Sequence, residues 1–307
     1  MQVKIPKQDI DNGILDGIID LHCHAGPCLF DKLFDEIEIA EQMRDVGYRG
    51  VLFKQHLLGA NRISFVKKAV PNLEIFGGIT LNHFVGGLNP IAVESAIAFN
   101  AKEVKMPNIH SAYHIETMGA PTYTTIKERF YKAQKKVDGI RILDKEGQIL
   151  QEVYEILDLI AKNDILLSTG HLSPEESLIL IKAAKSVGVR KILVTHATWG
   201  GEGPWPPLFP PDGISTKLQI QMAEAGAYIE QCYTTNSNTL KMQKITADNI
   251  RKIGASRCVM STDAGTGRMI HPVEAYRLFI RAMESNGISK KEIDILTKEN
   301  PAKLLGI

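Results

Sequence analysis

Two histidines one residue apart close an apolar run in Asp20-Leu21-His22-Cys23-His24. Residues two apart on a strand face the same side, so His22 and His24 present their imidazoles together while Cys23 points away. Two imidazoles on one face can chelate a divalent metal. Two further apolar runs end in His171 and His196, and another ends in Asp263 within Ser-Thr-Asp-Ala-Gly. Each alone has an ordinary explanation, a hydrogen-bonded strand-end histidine or an aspartate capping the next helix. Histidine is scarce, 9 of 307 residues, so its recurrence at separate run ends is hard to ascribe to chance. Five ionisable groups buried round one opening are costly unless something satisfies them. A divalent cation does so, most readily Zn2+, with Mn2+, Fe2+ or Ni2+ as alternatives and one or two ions per chain.

For those side chains to meet, their runs must lie side by side. Eight short aliphatic and β-branched runs cover 17–24, 50–56, 74–82, 102–106, 165–171, 191–196, 227–232 and 257–263. Such runs suit parallel strands covered on both faces. The stretches between them carry helix punctuation. Ser173-Pro174-Glu175-Glu176 combines an N-cap, a proline in the first turn and a capping-box glutamate. Gly47, Gly188, Gly226, Gly254 and Gly287 fall where helix C-caps belong. Eight strand–helix units imply an α/β fold, a closed (β/α)8 TIM barrel forming a single domain over 1–307. The gap between the fourth and fifth runs is about twice the others, so an insertion after strand 4 occupies roughly 107–150. Asp144-Lys145-Glu146-Gly147 turns a hairpin at 139–150 within it. A second irregular stretch, 198–213 after strand 6, is rich in Pro, Gly and Trp and reads as a lid loop. Both follow strand C-terminal ends, the face on which barrel enzymes work.

Composition narrows the partners. Lys+Arg 36 against Asp+Glu 35 leaves a net charge of +1, without bulk attraction for nucleic acid or an acidic membrane. No apolar run reaches the ~18 residues of a membrane-spanning helix. The start, MQVKIPKQDI, lacks the apolar core of a signal peptide. Cys23, Cys28, Cys232 and Cys258 form no C-x-x-C pair and read as free thiols in a reducing compartment. A cytoplasmic homo-oligomer with a small-molecule substrate, touching neither nucleic acid nor membrane, is the expectation.

The ligand pattern resembles the amidohydrolase superfamily, in which H-x-H follows the first strand, His the fifth and sixth, and Asp the eighth. His22, His24, His171, His196 and Asp263 match it. The ending Glu299-Asn300-Pro301-Ala302-Lys303-Leu304-Leu305-Gly306 is similar to the superfamily's terminal helix, and the likeness spans 14–307. The phrases DLHCHAGP, GGITLNHFVGGLNP, TGHLSPEE and STDAG are closer still to a group of amidohydrolase-like proteins with no settled function. The resemblance implies a metal-dependent hydrolase. In it, a metal-activated hydroxide attacks the carbonyl of an amide, cyclic amide or lactone, and Asp263 carries the proton to the leaving atom. Binuclear members add a bridging ligand, often a carboxylated lysine or a glutamate on the fourth strand. Here Lys54, which shares a face with His56, is the first choice; Lys105 is the second, and Glu103 also lies on that fourth strand. A lysine inside an apolar barrel has a lowered pKa and can take up CO2 as a carbamate. The competing role for Lys54 is an ion pair with a carboxylate or with an anionic substrate group.

Softer candidates complete the reading. Glu230 and Cys232 share a face on the seventh run, and Glu230 can bind substrate or set a histidine tautomer. His56 and Asn82 are assigned to substrate binding, although Asn82 could equally start a loop. His110 and His114 are four apart in the insertion, but no helix signal stands out there and they are expected to face solvent. Lys127, Arg129, Lys132, Lys135 and Lys136, with Phe130 and Tyr131, read as a solvated helix face. Trp199, Trp205 and Phe209 supply the apolar surface of the lid, or else an oligomer contact. The alternatives to hydrolysis are a single-metal non-oxidative decarboxylase, a phosphoesterase and a catalytically silent metal-binding barrel.

Overall fold

Each of the eight runs forms a strand, and each strand is shorter than its run. In order they are β1 Ile19–Cys23, β2 Gly50–Phe53, β3 Glu74–Thr80, β4 Glu103–Lys105, β5 Leu166–Ser168, β6 Ile192–Val194, β7 Tyr228–Cys232 and β8 Cys258–Ser261. The computed structural model describes residues 13–119, 138–200, 207–209, 213–236, 239–267 and 270–307. The strands pair in parallel in sequence order, β1 through β8. The seam between β8 and β1 is joined at the rim, where Asp263 N donates to His22 O at 2.7 Å and His24 N to Ala264 O at 2.8 Å. Asp20 reinforces it: its Oδ1 accepts from His22 N at 3.0 Å and Thr262 N at 3.1 Å, and its Oδ2 from Thr262 Oγ1 at 2.6 Å.

The helices begin where polar caps stand. Asp35 and Ser173 form capping boxes with Glu38 and Glu176 at the starts of Glu36–Asp45 and Pro174–Ser186. The helices bury one face on the outer side of the sheet, in a core that includes Ile39, Met43, Val104, Ile156, Leu180 and Tyr276.

The barrel interior changes character along its axis. Its lower layer is Ile19, Leu21, Leu52, Phe76, Leu166, Leu193 and Val259. The terminal helix Asn300–Leu305 adds Ala302, Leu304 and Leu305 to that cluster. Its place is set by Asn300, whose amide donates to Ala255 O and Cys258 O at 2.8 Å. Toward the C-terminal ends, the inward positions pass to polar groups.

β1 carries an irregularity that period-two reasoning does not show. Asp20 pairs with Val51 and Cys23 with Phe53, so β1 holds one more residue than β2 between those rungs. This bulge keeps Ile19 on the inner side below and His22 on the inner side above, and it leaves Asp20 facing β8.

The described parts of the insertion form local structure. A helix, Ala112–Met118, starts at the N-cap Ser111, and Leu143 pairs antiparallel with Ile149 round the expected turn. Asp144 Oδ1 accepts from Glu146 N and Gln148 N there, at 3.0 and 2.8 Å. The basic stretch from Lys127 to Lys136 and the lid residue Trp205 lie outside the described residues. Among the described residues no helix is long and apolar enough to cross a membrane. All four cysteines are unpaired.

Candidate metal centre

The rim above the polar layer gathers His22, His24, His196 and Asp263 from β1, β6 and β8. His22 Nε2 and His24 Nε2 approach the same oxygen, Asp263 Oδ1, at 3.2 and 3.0 Å. His196 Nδ1 lies 3.6 Å from Asp263 Oδ2. Thr234 Oγ1 donates to that Oδ2 at 3.1 Å and fixes the carboxylate from its other side.

The opposite edges of the two β1 rings decide their protonation. His24 Nδ1 is 3.2 Å from Lys54 O, a backbone carbonyl that can only accept, so Nδ1 carries the proton. His22 Nδ1 lies 3.1 Å from Glu230 Oε2, a carboxylate partner of the kind that orients metal-binding histidines. Burial holds both rings well below the usual histidine range, with neighbouring lysines adding to the effect. Neutral rings protonated at Nδ1 leave bare lone pairs at Nε2. Two lone pairs and a carboxylate oxygen then face one another, an arrangement that a cation reconciles. Among the described residues His196 Nδ1 is buried without a hydrogen-bond partner, and burial brings this ring down to about 3. The donor set therefore fits a divalent metal.

Two groups of donors lie within 4.8 Å of one another, His22–His24–Asp263 and His22–His196–Glu230–Cys232. The second is closed: Glu230 and Cys232 are 0% exposed. Glu230 is already engaged by His22, and burial pushes its carboxyl up to about 7 and the Cys232 thiol well above its usual range. The first includes His24 and Asp263, 9% and 8% exposed, and offers the open side that a substrate needs.

Backbone geometry marks the same spot. His196 and Asp263 both sit at left-handed φ, 53° and 52°. Such strain costs about 1–3 kcal/mol each and persists where the surroundings over-determine it. Gly265 follows Asp263 at φ 106°, and a Cβ there would overlap His24 O, so the β8 and β1 rims approach closely only with glycine.

His171 comes next to this group rather than into it. Its ring centroid is 5.2 Å from that of His196, and its Nδ1 meets His114 Nδ1 at 2.8 Å. Ser111 caps the helix carrying His114 and donates from Oγ to His171 O at 2.6 Å. His110 and His114 are thus buried, 2% and 7% exposed, which corrects the expectation that they face solvent. The missed signal was Ser111 as an N-cap.

The other named residues divide. Lys54 turns its ammonium to Glu103, which also accepts from Ser168 Oγ. Burial raises the Glu103 carboxyl, but Lys54 and Lys105 outweigh it and hold it low. Lys105 is 2% exposed, and among the described residues no hydrogen bond or ion pair engages it. Burial, then Lys54, bring it down to about 8. His56 stacks on His24 at 5.6 Å between centroids and lies 3.5 Å from Cys28 Sγ. The Asn82 amide is taken up internally by His56 O, Asn108 Oδ1 and the Asn108 and His110 backbone N–H groups. Trp199 stands edge-on to His171 and His196, 5.4 and 5.2 Å away, and Phe209 stacks on Tyr113.

A model of a family of unknown function, DUF6282, matches residues 17–230. Comparison with curated proteins finds no match. Solved structures share the fold. An amidohydrolase from Pseudomonas aeruginosa aligns with TM-score 0.63 at 12% identity, covering 95% of this chain and 96% of its own. A dihydroxybenzoic acid decarboxylase from a Polaromonas species, with bound manganese and an inhibitor, gives 0.57 at 12%, covering 95% and 97%. The phosphotriesterase from Mycobacterium tuberculosis gives 0.52 at 15%, covering 96% and 95%. The amidohydrolase-superfamily resemblance is thus met in the fold, and three different chemistries share that fold.

Proposed function

We propose, from the premise that this chain belongs to the DUF6282 family, that it is a metal-dependent hydrolase of a small amide, cyclic amide or lactone. The supporting observation is the approach of His22 Nε2 and His24 Nε2, both lone-pair bearing, to Asp263 Oδ1. In this reading His22, His24, His196 and Asp263 hold a divalent ion, with His171 beside them. Such an ion, Zn2+ first among candidates, supplies Lewis acidity toward a carbonyl oxygen and brings the pKa of water to ~7.

The chain's own groups do the rest. Glu230 keeps the proton of His22 on Nδ1, and Lys54 O does the same for His24. Asp263, steadied by Thr234, takes a proton from the attacking water at Oδ2. It returns that proton to the leaving nitrogen or oxygen as the bond from the carbonyl carbon breaks. Trp199 covers the side of His171 and His196 and limits water there. If a carboxylated lysine completes the site, Lys105 suits it better than Lys54. A carbamate on Lys54 would set two anions together at Glu103, whereas Lys105 has no partner to lose.

Asp263→Asn should lower turnover by about 10²–10⁴-fold while most of the metal stays bound. Elemental analysis beside an amide and lactone panel checks this, and full activity in the variant removes the role assigned to Asp263. A second reading, decarboxylation at a single ion, draws on the sharing of His22 by both donor groups. One ion per chain, no lysine carbamate by native mass measurement and CO2 release from an aromatic acid would favour it.

A further inference from the structure

One cation close to the centre has no role in the scheme above. Lys32 lies on the segment between β1 and the helix Glu36–Asp45. That segment is held to itself, Gly26 N donating to Phe34 O at 2.8 Å and Glu36 N to Gly26 O at 2.9 Å. It is also held to the β8 rim: Leu33 N donates to Gly265 O at 3.0 Å, Gly267 N to Asp31 O at 2.9 Å, and Lys32 pairs antiparallel with Thr266. The backbone at Lys32 is therefore fixed between the two strands that carry His22, His24 and Asp263.

The stem of its side chain is part-exposed, but its tip is withdrawn from water. The Lys32 Nζ is buried and, among the described residues, has no hydrogen-bond partner. Its charge bears on the rings of His24 and His56, and Asp263 is among the groups that bear on it. Asp263 itself is engaged by His22, His24 and Thr234. Two other half-buried lysines have partners, Lys191 with Asp164 at 2.9 Å and Lys298 with Asp294 at 2.7 Å. An ammonium out of water without a counter-ion is costly, and burial lowers the affinity of Lys32 for its proton accordingly. A ligand anion placed beside the metal donors would remove that cost.

We propose that Lys32 is the counter-ion for a carboxylate of the substrate, bound between the post-β1 segment and the metal centre. A single ammonium whose charge bears on the Cys28 thiol and the His56 imidazole suits a carboxylate better than a phosphate dianion. Phosphate sites combine several donors, an arginine fork or a helix N-terminus. The assignment rests on reading His22, His24, His196 and Asp263 as a hydrolytic metal site, and it narrows the substrate to one with an acidic group besides the bond cleaved. Lys32 is then a specificity-determining residue.

The test uses the full chain loaded with Zn2+ and titration calorimetry. The probes are malonate, succinate, glutarate and adipate, each against its own monoamide. One carboxylate can reach the metal, so the ratio within a pair isolates the second. At one chain length or more, the diacid should bind about tenfold tighter than its monoamide. In Lys32→Met that ratio should fall to near one, and in Lys32→Arg it should be largely kept, with zinc content unchanged in both. Without ligand, Lys32→Met should also melt above the wild type, a gain that a structural lysine would not give. An unchanged ratio in Lys32→Met, or no preference at any length in the wild type, overturns the proposal. Inorganic phosphate bound more tightly than every diacid, and dependent on Lys32, overturns the choice of carboxylate. Failure of the wild type to hold zinc would defeat the hydrolase reading instead. Acetate against acetamide, on wild-type and Lys32→Met proteins without metal, then still decides whether Lys32 selects for charge.

Discussion

The lower and upper halves of the barrel interior come from the same strands and obey opposite rules. Two residues separate them. Leu52 is followed on its face by Lys54, Leu166 by Ser168, Leu193 by Thr195 and Val259 by Ser261. Below, an apolar cluster fills the interior and the terminal helix covers the end. Above, fully buried polar groups depend on partners: Lys54 on Glu103, His22 on Glu230, Asp20 on Thr262. The lower half stabilises by removing apolar area from water, ~1.5–3 kcal/mol per large side chain. The upper half gains little, because buried ion pairs roughly cancel their own desolvation. The difference teaches that this chain separates stability from chemistry along the barrel axis, not between domains.

That contrast can be broken first at its apolar end. Leu193→Ala in the lower layer should cost about 2–5 kcal/mol of unfolding free energy while metal content stays at wild-type level. Chemical denaturation with elemental analysis checks it, and metal loss in step with stability would mean that the halves are not separable.

Acid acts on the histidines of the upper half. The folded-state pKa values of His22, His24, His171 and His196 lie below the ordinary histidine value of 6.5, His196 at about 3. The stability tied to these neutral rings is complete above pH 6.5 and is lost as pH falls toward 3, because the unfolded chain takes up protons that the native one refuses. Glu230 runs the other way, as does Asp20, which burial raises from 3.8 to about 6. Raised from 4.5 to about 7, Glu230 favours the fold most below pH 4.5 and loses that contribution as pH rises through 7. The four histidines outnumber these two carboxyls, so urea midpoints of metal-free protein should fall between pH 6.5 and 4.5. A flat profile would show those rings to be protonated in the native state.

The smallest stability effect sharpens the contrast most. Asparagine tolerates the left-handed backbone found at His196, and the substitution removes a buried ring nitrogen with no hydrogen-bond partner. His196→Asn should leave the metal-free protein within ~0.5 kcal/mol of wild type, or more stable, while weakening metal binding at least about tenfold. Marked destabilisation without metal would give His196 a packing role.

Much of the fold was legible. Eight apolar runs with capping signals between them specify a parallel barrel, since β-branched runs covered on both faces have few other arrangements. The strands are shorter than the runs because the chain leaves its ladder to bring His196 and Asp263 into left-handed turns. The clustering of His22, His24, His196 and Asp263 was legible too, because polar residues that end separate strands leave a repeated mark. Less so were His110 and His114, whose burial follows from a helix capped by Ser111 and docked on His171. Asn82, which could be read as a substrate contact, instead has its amide bound to its own loops.

Residue types and their spacing were enough to establish the scaffold and to nominate histidines and an aspartate at its mouth, because both are written in local periodicity. Tertiary structure alone decided which buried charges pair. Lys54 meets a carboxylate 49 positions away, while among the described residues Lys32 and Lys105 hydrogen-bond to none. It also decided that a bulge in β1 aims His22 inward and Asp20 toward β8. Pairing and aim depend on distances across the barrel, which no stretch of neighbouring residues encodes.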